Sequence, residues 1–220
     1  MTLTETQVAL FAKSHAIPLL TSPQHLPRPD YLVASGFGKK ITNDWLTLPK
    51  KLAINMHPSL LPAYRGAFPA EWAILKGETK TGVTILRMSA DFDQGDIVVQ
   101  KEIAIAPDDT RETLYEKLYH LGAQMLLDEL KNPHEPRPQP EGSYFYARRL
   151  RREDGFVPWQ KFDIYAKELD TKFRALTPWP GVWTITPKGK RLKLISLIPP
   201  VVQFEGKTPV AWHQLPLDSL

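Results

Sequence analysis

The sequence predicts an α/β domain followed by a small β-rich module, and three observations predict it. Short apolar runs alternate with helix-patterned segments through residue 131; residues 132–142, NPHEPRPQPEG, hold four prolines and almost nothing apolar; beyond them, β-prone runs are punctuated by turn residues. Alternation of strand and helix implies helices packed on a sheet, and a proline-rich break implies an extended linker. The expected division is residues 1–131, a linker at 132–152 and a module at 153–220.

Residues 4–15 read as a helix with Val8, Leu10, Phe11 and Ala16 near one face, leading into the apolar run 17–20. Residues 31–34 form an apolar run closed by Ser35, Gly36, Phe37 and Gly38, the pattern of a buried strand entering a loop. Residues 52–57 and 81–88 are further strands, the latter carrying β-branched Val83, Thr84 and Ile85. Between them, 69–76 is a helix stopped by Gly77. Residues 97–105 alternate as another strand. The clearest helix is 110–130: Asp109 precedes it, Glu112 sits three residues on, and Leu114, Leu118, Leu121 and Met125 make one stripe. In the module, a short helix lies within 163–176, TPWPG breaks the chain, and strands follow at 182–186, 191–197 and 200–204. PKGK and EGK supply turns.

Composition narrows the function classes. There are no cysteines, which removes disulfides, thiolate metal sites and a cysteine nucleophile, and fits a reducing compartment. The first twenty residues carry acidic, polar and basic side chains and match neither a secretory leader nor a membrane span, so a cytoplasmic location is expected. Residues 1–131 hold 14 Lys+Arg against 15 Asp+Glu, and residues 132–220 hold 14 against 9, so the surplus positive charge lies in the C-terminal part. A basic module beside a near-neutral domain suggests a polyanionic partner, although a solvated basic surface has the same composition.

Asn55 and His57 are two apart in an extended run, so both side chains leave one face at the carboxyl end of a strand. Pro58 keeps the preceding residue out of the helical region. An amide and an imidazole side by side at the rim of a sheet suit a ligand site, and loop capping is the plainer alternative. SLLPAYRG, residues 59–66, is a stiff loop presenting one cation, Arg65. ADFDQGD, residues 90–96, gathers Asp91, Asp93 and Asp96 around Gly95. A calcium loop would use Asp91, Asp93 and Glu102, but Gly95 and Asp96 stand in the reverse of the order such a loop needs.

INMHPSLLPAYRGAFP, then TGVTILRM, then FDQGDIV, in that order, resemble the signature of the folate-dependent formyltransferases, and the similarity runs on through PWPGVWT. The resemblance implies a Rossmann-like, mostly parallel sheet with flanking helices and an OB-like C-terminal module. It also implies a first βαβ segment upstream of residue 1, whose removal would leave an open sheet edge and favour a second copy covering it. It implies no metal, 10-formyltetrahydrofolate as co-substrate, and the catalytic trio Asn55, His57 and Asp93. In that scheme Asn55 donates to the tetrahedral oxyanion, His57 protonates the departing folate nitrogen, and Asp93 orients His57 and favours its charged form. Folate would lie against Gly36, Phe37, Gly38 and Lys39 and against Ala90, Asp91 and Phe92.

The acceptor implied by the linker and basic tail is an initiator methionyl-tRNA. Its candidate contacts are Ser59, Leu60, Leu61, Pro62, Arg65 and Gly66 in the loop, and Arg148, Arg149, Arg151, Arg152, Lys188, Lys190, Arg191 and Lys193 further on. Trp179 and Trp183 are expected in the core of the module. Two alternatives remain: an amino sugar on a nucleotide as acceptor, and a nucleic-acid-binding remnant without catalysis.

Overall fold

The computed structural model describes residues 5–20 and 27–215. Its first sheet runs, edge to edge, through residues 31–35, 52–57, 80–87 and 97–104, and a second four-stranded sheet, 210–211, 200–204, 191–197 and 182–185, lies in the C-terminal part. The elements of the first part are α1 (Gln7–Ser14), β1 (Tyr31–Ser35), α2 (Asn43–Leu46), β2 (Leu52–His57), β3 (Arg65–Gly66), α3 (Pro69–Leu75), β4 (Lys80–Arg87), β5 (Ile97–Ala104) and α4 (Arg111–Lys131). Then come β6 (Tyr146–Ala147), α5 (Lys167–Leu176), β7 (Val182–Ile185), β8 (Arg191–Leu197), β9 (Pro200–Phe204) and β10 (Val210–Ala211). The expected start of the first helix at Thr4 and the last residues of the C-terminal module, 216–220, lie outside the described residues.

The α/β class holds, with parallel pairing narrower than the resemblance implies. β1 and β2 are parallel, while β2–β4 and β4–β5 are antiparallel. Connection length explains part of this. Residues 36–51, with α2 among them, are long enough for a parallel crossover, whereas residues 88–96 are too few to make one and return β5 antiparallel. Among the described residues no strand pairs with the outer edge of β1, where Val33 is 42% exposed.

α4 carries the hydrophobic load. Leu114 and Leu118 are fully buried, Met125 nearly so, and they join Ile54, Met56, Val83 and Ile85 of the sheet in one core. Each such aliphatic side chain contributes about 1.5–3 kcal/mol relative to exposure. The start of α4 differs from expectation: Thr110 is the cap, its hydroxyl accepting from Thr113 N–H while Thr113 returns a bond to Thr110 N–H. Asp109 instead accepts from Ala106 N–H, Thr113 Oγ1 and Lys117 Nζ, tying the preceding turn to the helix. In α1 the expected apolar face is not buried: Val8, Leu10 and Phe11 are exposed and Ala12 is the helix's one buried residue, because α1 packs closely on no other helix or strand among the described residues.

The proline-rich segment is docked rather than free. Ile97 and Arg137 exchange two main-chain hydrogen bonds, and β6 pairs with β3. Contacts between α5 and α3, and a bond from Arg174 Nη1 to Asp109 O, seat the C-terminal part on the first domain. Its second sheet is fully antiparallel with the hairpin turns expected from PKGK and EGK. No helix among the described residues is long and apolar enough to cross a membrane.

Candidate active site

Three loops build one cavity of about 480 Å³. The loop after β1 brings Gly36, Phe37, Gly38 and Lys39; the carboxyl end of β2 brings Asn55 and His57; the loop between β4 and β5 brings Ala90, Asp91, Phe92 and Asp93. The volume suits a drug-sized ligand. Phe37 and Phe92 are 57% and 55% exposed, two aromatic faces left open at a cleft, which suits a flat ring system. Gly36 takes φ +61 and a side chain on Gly38 would meet nothing within 4 Å, so the main chain here is open to a close neighbour. Tyr115 and Tyr119, four apart on α4, also line the cavity. Burial first, then the nearby Glu71 carboxylate, pushes both phenols above their ordinary range, so they stand as neutral hydrogen-bonding groups.

The three polar side chains singled out from sequence meet. Asp93 Oδ1 lies 3.5 Å from Asn55 Nδ2 and 3.5 Å from His57 Nδ1. Both distances are long for hydrogen bonds, so the amide and the ring are held close without being consumed by the carboxylate. Asp93 Oδ2 is committed, accepting from Gly66 N–H at 2.9 Å. His57 is 4% exposed and its Nε2 faces Tyr64 O at 3.0 Å. A ring nitrogen facing a carbonyl bonds only as a donor, which places a proton on Nε2 and turns Nδ1 to Asp93. Tyr64 and Asp93 both have left-handed backbones, φ +59 and +56, at the two points where the main chain bends into the site.

Gln139 was not anticipated. Its Nε2 donates to Asp93 O at 2.8 Å and Gly95 O at 2.7 Å, while its Oε1 accepts from Arg65 Nε at 3.1 Å. Arg65 is therefore bound to Gln139 rather than presented to solvent. Other expected acceptor contacts are also committed elsewhere. Ser59, Leu61 and Pro62 are buried: the Ser59 hydroxyl donates to Ala63 O and Leu61 N–H to Thr84 Oγ1, so this stretch pins the loop to the sheet. Leu60 is half-buried, while Gly66 lines the cavity. Arg148 makes a two-pronged ion pair with Asp154 and lies over Trp72, so it is a strut. Arg149 reaches the cavity wall, its Nη2 3.3 Å from Gly38 O. Arg151 is exposed, Lys190 lies over Phe204, and Arg191 pairs with Glu205. Arg152, Arg191 and Lys193 line a second pocket with Trp179 and Trp183, whereas Lys188 lies in the exposed turn.

Residues 16–130 match the family model described as formyl transferase, and residues 149–214 match that of the formyl transferase C-terminal domain. The methionyl-tRNA formyltransferase of Geobacter metallireducens is 37% identical over 205 residues, covering 86% of this chain and 64% of that protein. That of Caldanaerobacter subterraneus is 39% identical over 185 residues, covering 82% and 58%. The chain thus spans less than two thirds of the length of these relatives. HypX from Aquifex aeolicus, solved with tetrahydrofolic acid, superimposes with a TM-score of 0.64 at 25% identity over 76% of this chain and 29% of that one. The N-formyltransferase from Helicobacter canadensis, solved with folinic acid and dTDP-3-aminofucose, shares the fold with a TM-score of 0.63 at 21% identity, over 87% and 74%. Matched in order on its first sheet and on its basic C-terminal module, this chain belongs to the formyl transferase family.

Proposed function

We propose that the chain transfers the formyl group of 10-formyltetrahydrofolate to the amino group of initiator methionyl-tRNA, in the cytoplasm, with Asn55, His57 and Asp93 as its catalytic residues. The observation that supports this reading is the meeting of those three side chains in a single cavity between two loops with open main chain and exposed phenylalanines. The acceptor amine attacks the formyl carbon, forming a C–N bond and a tetrahedral oxyanion. Asn55 donates an amide N–H to that oxygen. As the bond from carbon to the folate nitrogen breaks, that nitrogen takes a proton from His57 Nδ1, the ring nitrogen not held by Tyr64 O, and the amine's proton leaves through water beside Asp93. Asp93 holds the imidazole in register. The pterin ring lies between Phe37 and Phe92 against residues 36–39 and 90–92.

In this reading residues 1–131 are the catalytic domain, 132–152 a linker and 153–220 a tRNA-binding module. Arg149, Arg151 and Arg152 at the end of the linker, with Lys193 in the module, are the candidate phosphate contacts. A second copy covers the open edge of β1, and sedimentation of a strictly monomeric species at high concentration would remove that part alone.

An amino-sugar nucleotide is the second acceptor to weigh, since the fold is shared with an enzyme solved with dTDP-3-aminofucose. The surplus of basic residues after 131 favours the RNA. Incubation with formyl-tetrahydrofolate and either charged initiator tRNA or amino-sugar nucleotides, read by mass spectrometry, separates the two. Formyl-methionyl-tRNA is the expected product; formylated sugar alone overturns the assignment, and RNA binding without product leaves a binding remnant.

A further inference from the structure

The second pocket, about 310 Å³, is lined by Arg152, Trp179, Pro180, Trp183, Arg191 and Lys193: three cations, two indoles and no carboxylate. Its members differ in how far they are already satisfied. Trp183 packs against Phe156, with ring centroids 4.9 Å apart, has the Arg191 guanidinium over it at 4.9 Å, and donates its Nε1 to Arg152 O. Arg191 also pairs with Glu205. This half of the pocket is a finished wall.

The other half is not. Trp179, expected in the core, is 50% exposed, and among the described residues no ring or cation stacks on it. The side chains of Arg152 and Lys193 make no ion pair or hydrogen bond among the described residues. Yet the loop is well fixed: Trp179 O accepts from Arg111 Nη1, and Gly181 N–H donates to Leu176 O at 2.8 Å. Gly181, at φ +75, lets Lys193 lie close, since a Cβ there would come within 2.8 Å of Lys193 Cε. A rigid, half-exposed indole beside two unpaired cations is matched to a ligand with a flat ring joined to an anion.

Resting on the RNA-acceptor reading, we propose that this pocket is a nucleotide subsite, in which an unstacked base of the acceptor RNA lies on Trp179 and its phosphate sits between Arg152 and Lys193. Its position supports one continuous track. Arg149 lines the catalytic cavity and Arg152 lines this pocket, so their Cα atoms are at most about 11 Å apart along the chain. An RNA whose reacting end enters the cavity passes directly by.

The test compares Trp179→Ala, Trp179→Phe and the double variant Arg152→Ala, Lys193→Ala with the parent chain, each checked by thermal melting. Binding of deacylated initiator tRNA is measured by fluorescence titration, and formylation kinetics with charged tRNA. Loss of the stack should raise Kd and KM for tRNA about 10- to 100-fold with kcat within twofold, and Trp179→Phe should recover most of it. The double variant should also flatten the dependence of log Kd on log salt, by about 0.7–0.9 for each phosphate that no longer meets a cation. Parent-like Kd and KM in Trp179→Ala, with the parent binding tRNA, overturn the subsite and leave the acceptor reading standing. A parent that binds no RNA and formylates only sugar nucleotides overturns both. Displacement of the RNA by polyglutamate equally well in parent and Trp179→Ala marks a nonspecific basic surface and also overturns the subsite.

Discussion

Gln139 donates its side-chain amide to the main-chain carbonyl of Asp93 at 2.8 Å, from 46 residues away in sequence. The same amide holds Gly95 O, and its oxygen receives Arg65. Asp93 sits in the left-handed region, a conformation that costs a non-glycine residue about 1–3 kcal/mol and persists only where its surroundings enforce it. Gln139 is the enforcing contact. Replacing it with alanine should let the loop relax, shift the carboxylate relative to His57 and lower kcat about 10- to 100-fold. Gln139→Glu, which keeps an acceptor for Arg65 but loses the donor, should fall almost as far. Single-turnover rates for both variants check this; an unchanged rate in Gln139→Ala would mean that the loop holds Asp93 by itself.

In the proposed mechanism Asn55 and Asp93 separate oxyanion stabilisation from orientation. Asn55→Ala should lower kcat by about 10²–10³, the usual effect of removing one oxyanion donor, with KM for the formyl donor within a few-fold. Asp93→Asn is the cleaner partner variant: asparagine tolerates the left-handed backbone and still offers an oxygen to Gly66 N–H, so the loop should fold unchanged while the charge beside His57 is lost. Steady-state kinetics with circular dichroism as the folding check suffice, and full activity in either variant would take that residue out of the chemistry.

Local signals made the frame legible. β2, β8 and β9 have the bounds expected from apolar or β-branched runs between turn residues, and α4 follows its stripe of leucines. Long-range partners were not legible. Nothing in a proline-rich stretch marks Gln139 as the clamp on Asp93, and counting charges cannot reveal that Arg65 and Arg148 are held by Gln139 and Asp154. Periodicity in α1 proposed an apolar face but could not say what covers it, and Val8 and Phe11 are exposed. Size alone placed Trp179 in the core, whereas the TPWPG break turns it outward.

Asp109 gives a pH dependence of stability. Burial pushes its carboxyl up, but hydrogen bonds from Lys117, Ala106 N–H and Thr113, with the Lys117 charge, outweigh that and hold it below the ordinary 3.8. A depressed native value means the unfolded chain binds the proton more readily. The contribution is therefore complete above about pH 4–5 and is lost as pH falls through the native value. Asp109→Asn should cost about 1.5–3 kcal/mol at pH 7, and the penalty should shrink towards zero on acidification. Urea titrations of both proteins between pH 7 and pH 3 measure it; a constant difference across that range would contradict the ion pair as its source.

Gly66 is where the loop after β2, the short strand β6 and the Asp93 carboxylate meet. Its φ is +119, its N–H donates to Asp93 Oδ2, and an added Cβ would lie 2.5 Å from Ala147 O on β6. Alanine here meets backbone on one side and an unfavourable dihedral on the other, about 1–3 kcal/mol from the dihedral alone. Because the neighbour is main chain rather than a flexible side chain, relief has to come from separating β3 from β6. That movement would carry the N–H away from Asp93. Gly66→Ala should therefore lose both stability and at least about tenfold in kcat, whereas Gly77→Ala, also at positive φ but with nothing within 4 Å, should lose stability alone. Parallel melting and kinetic measurements on the two variants distinguish strain in general from strain at the site.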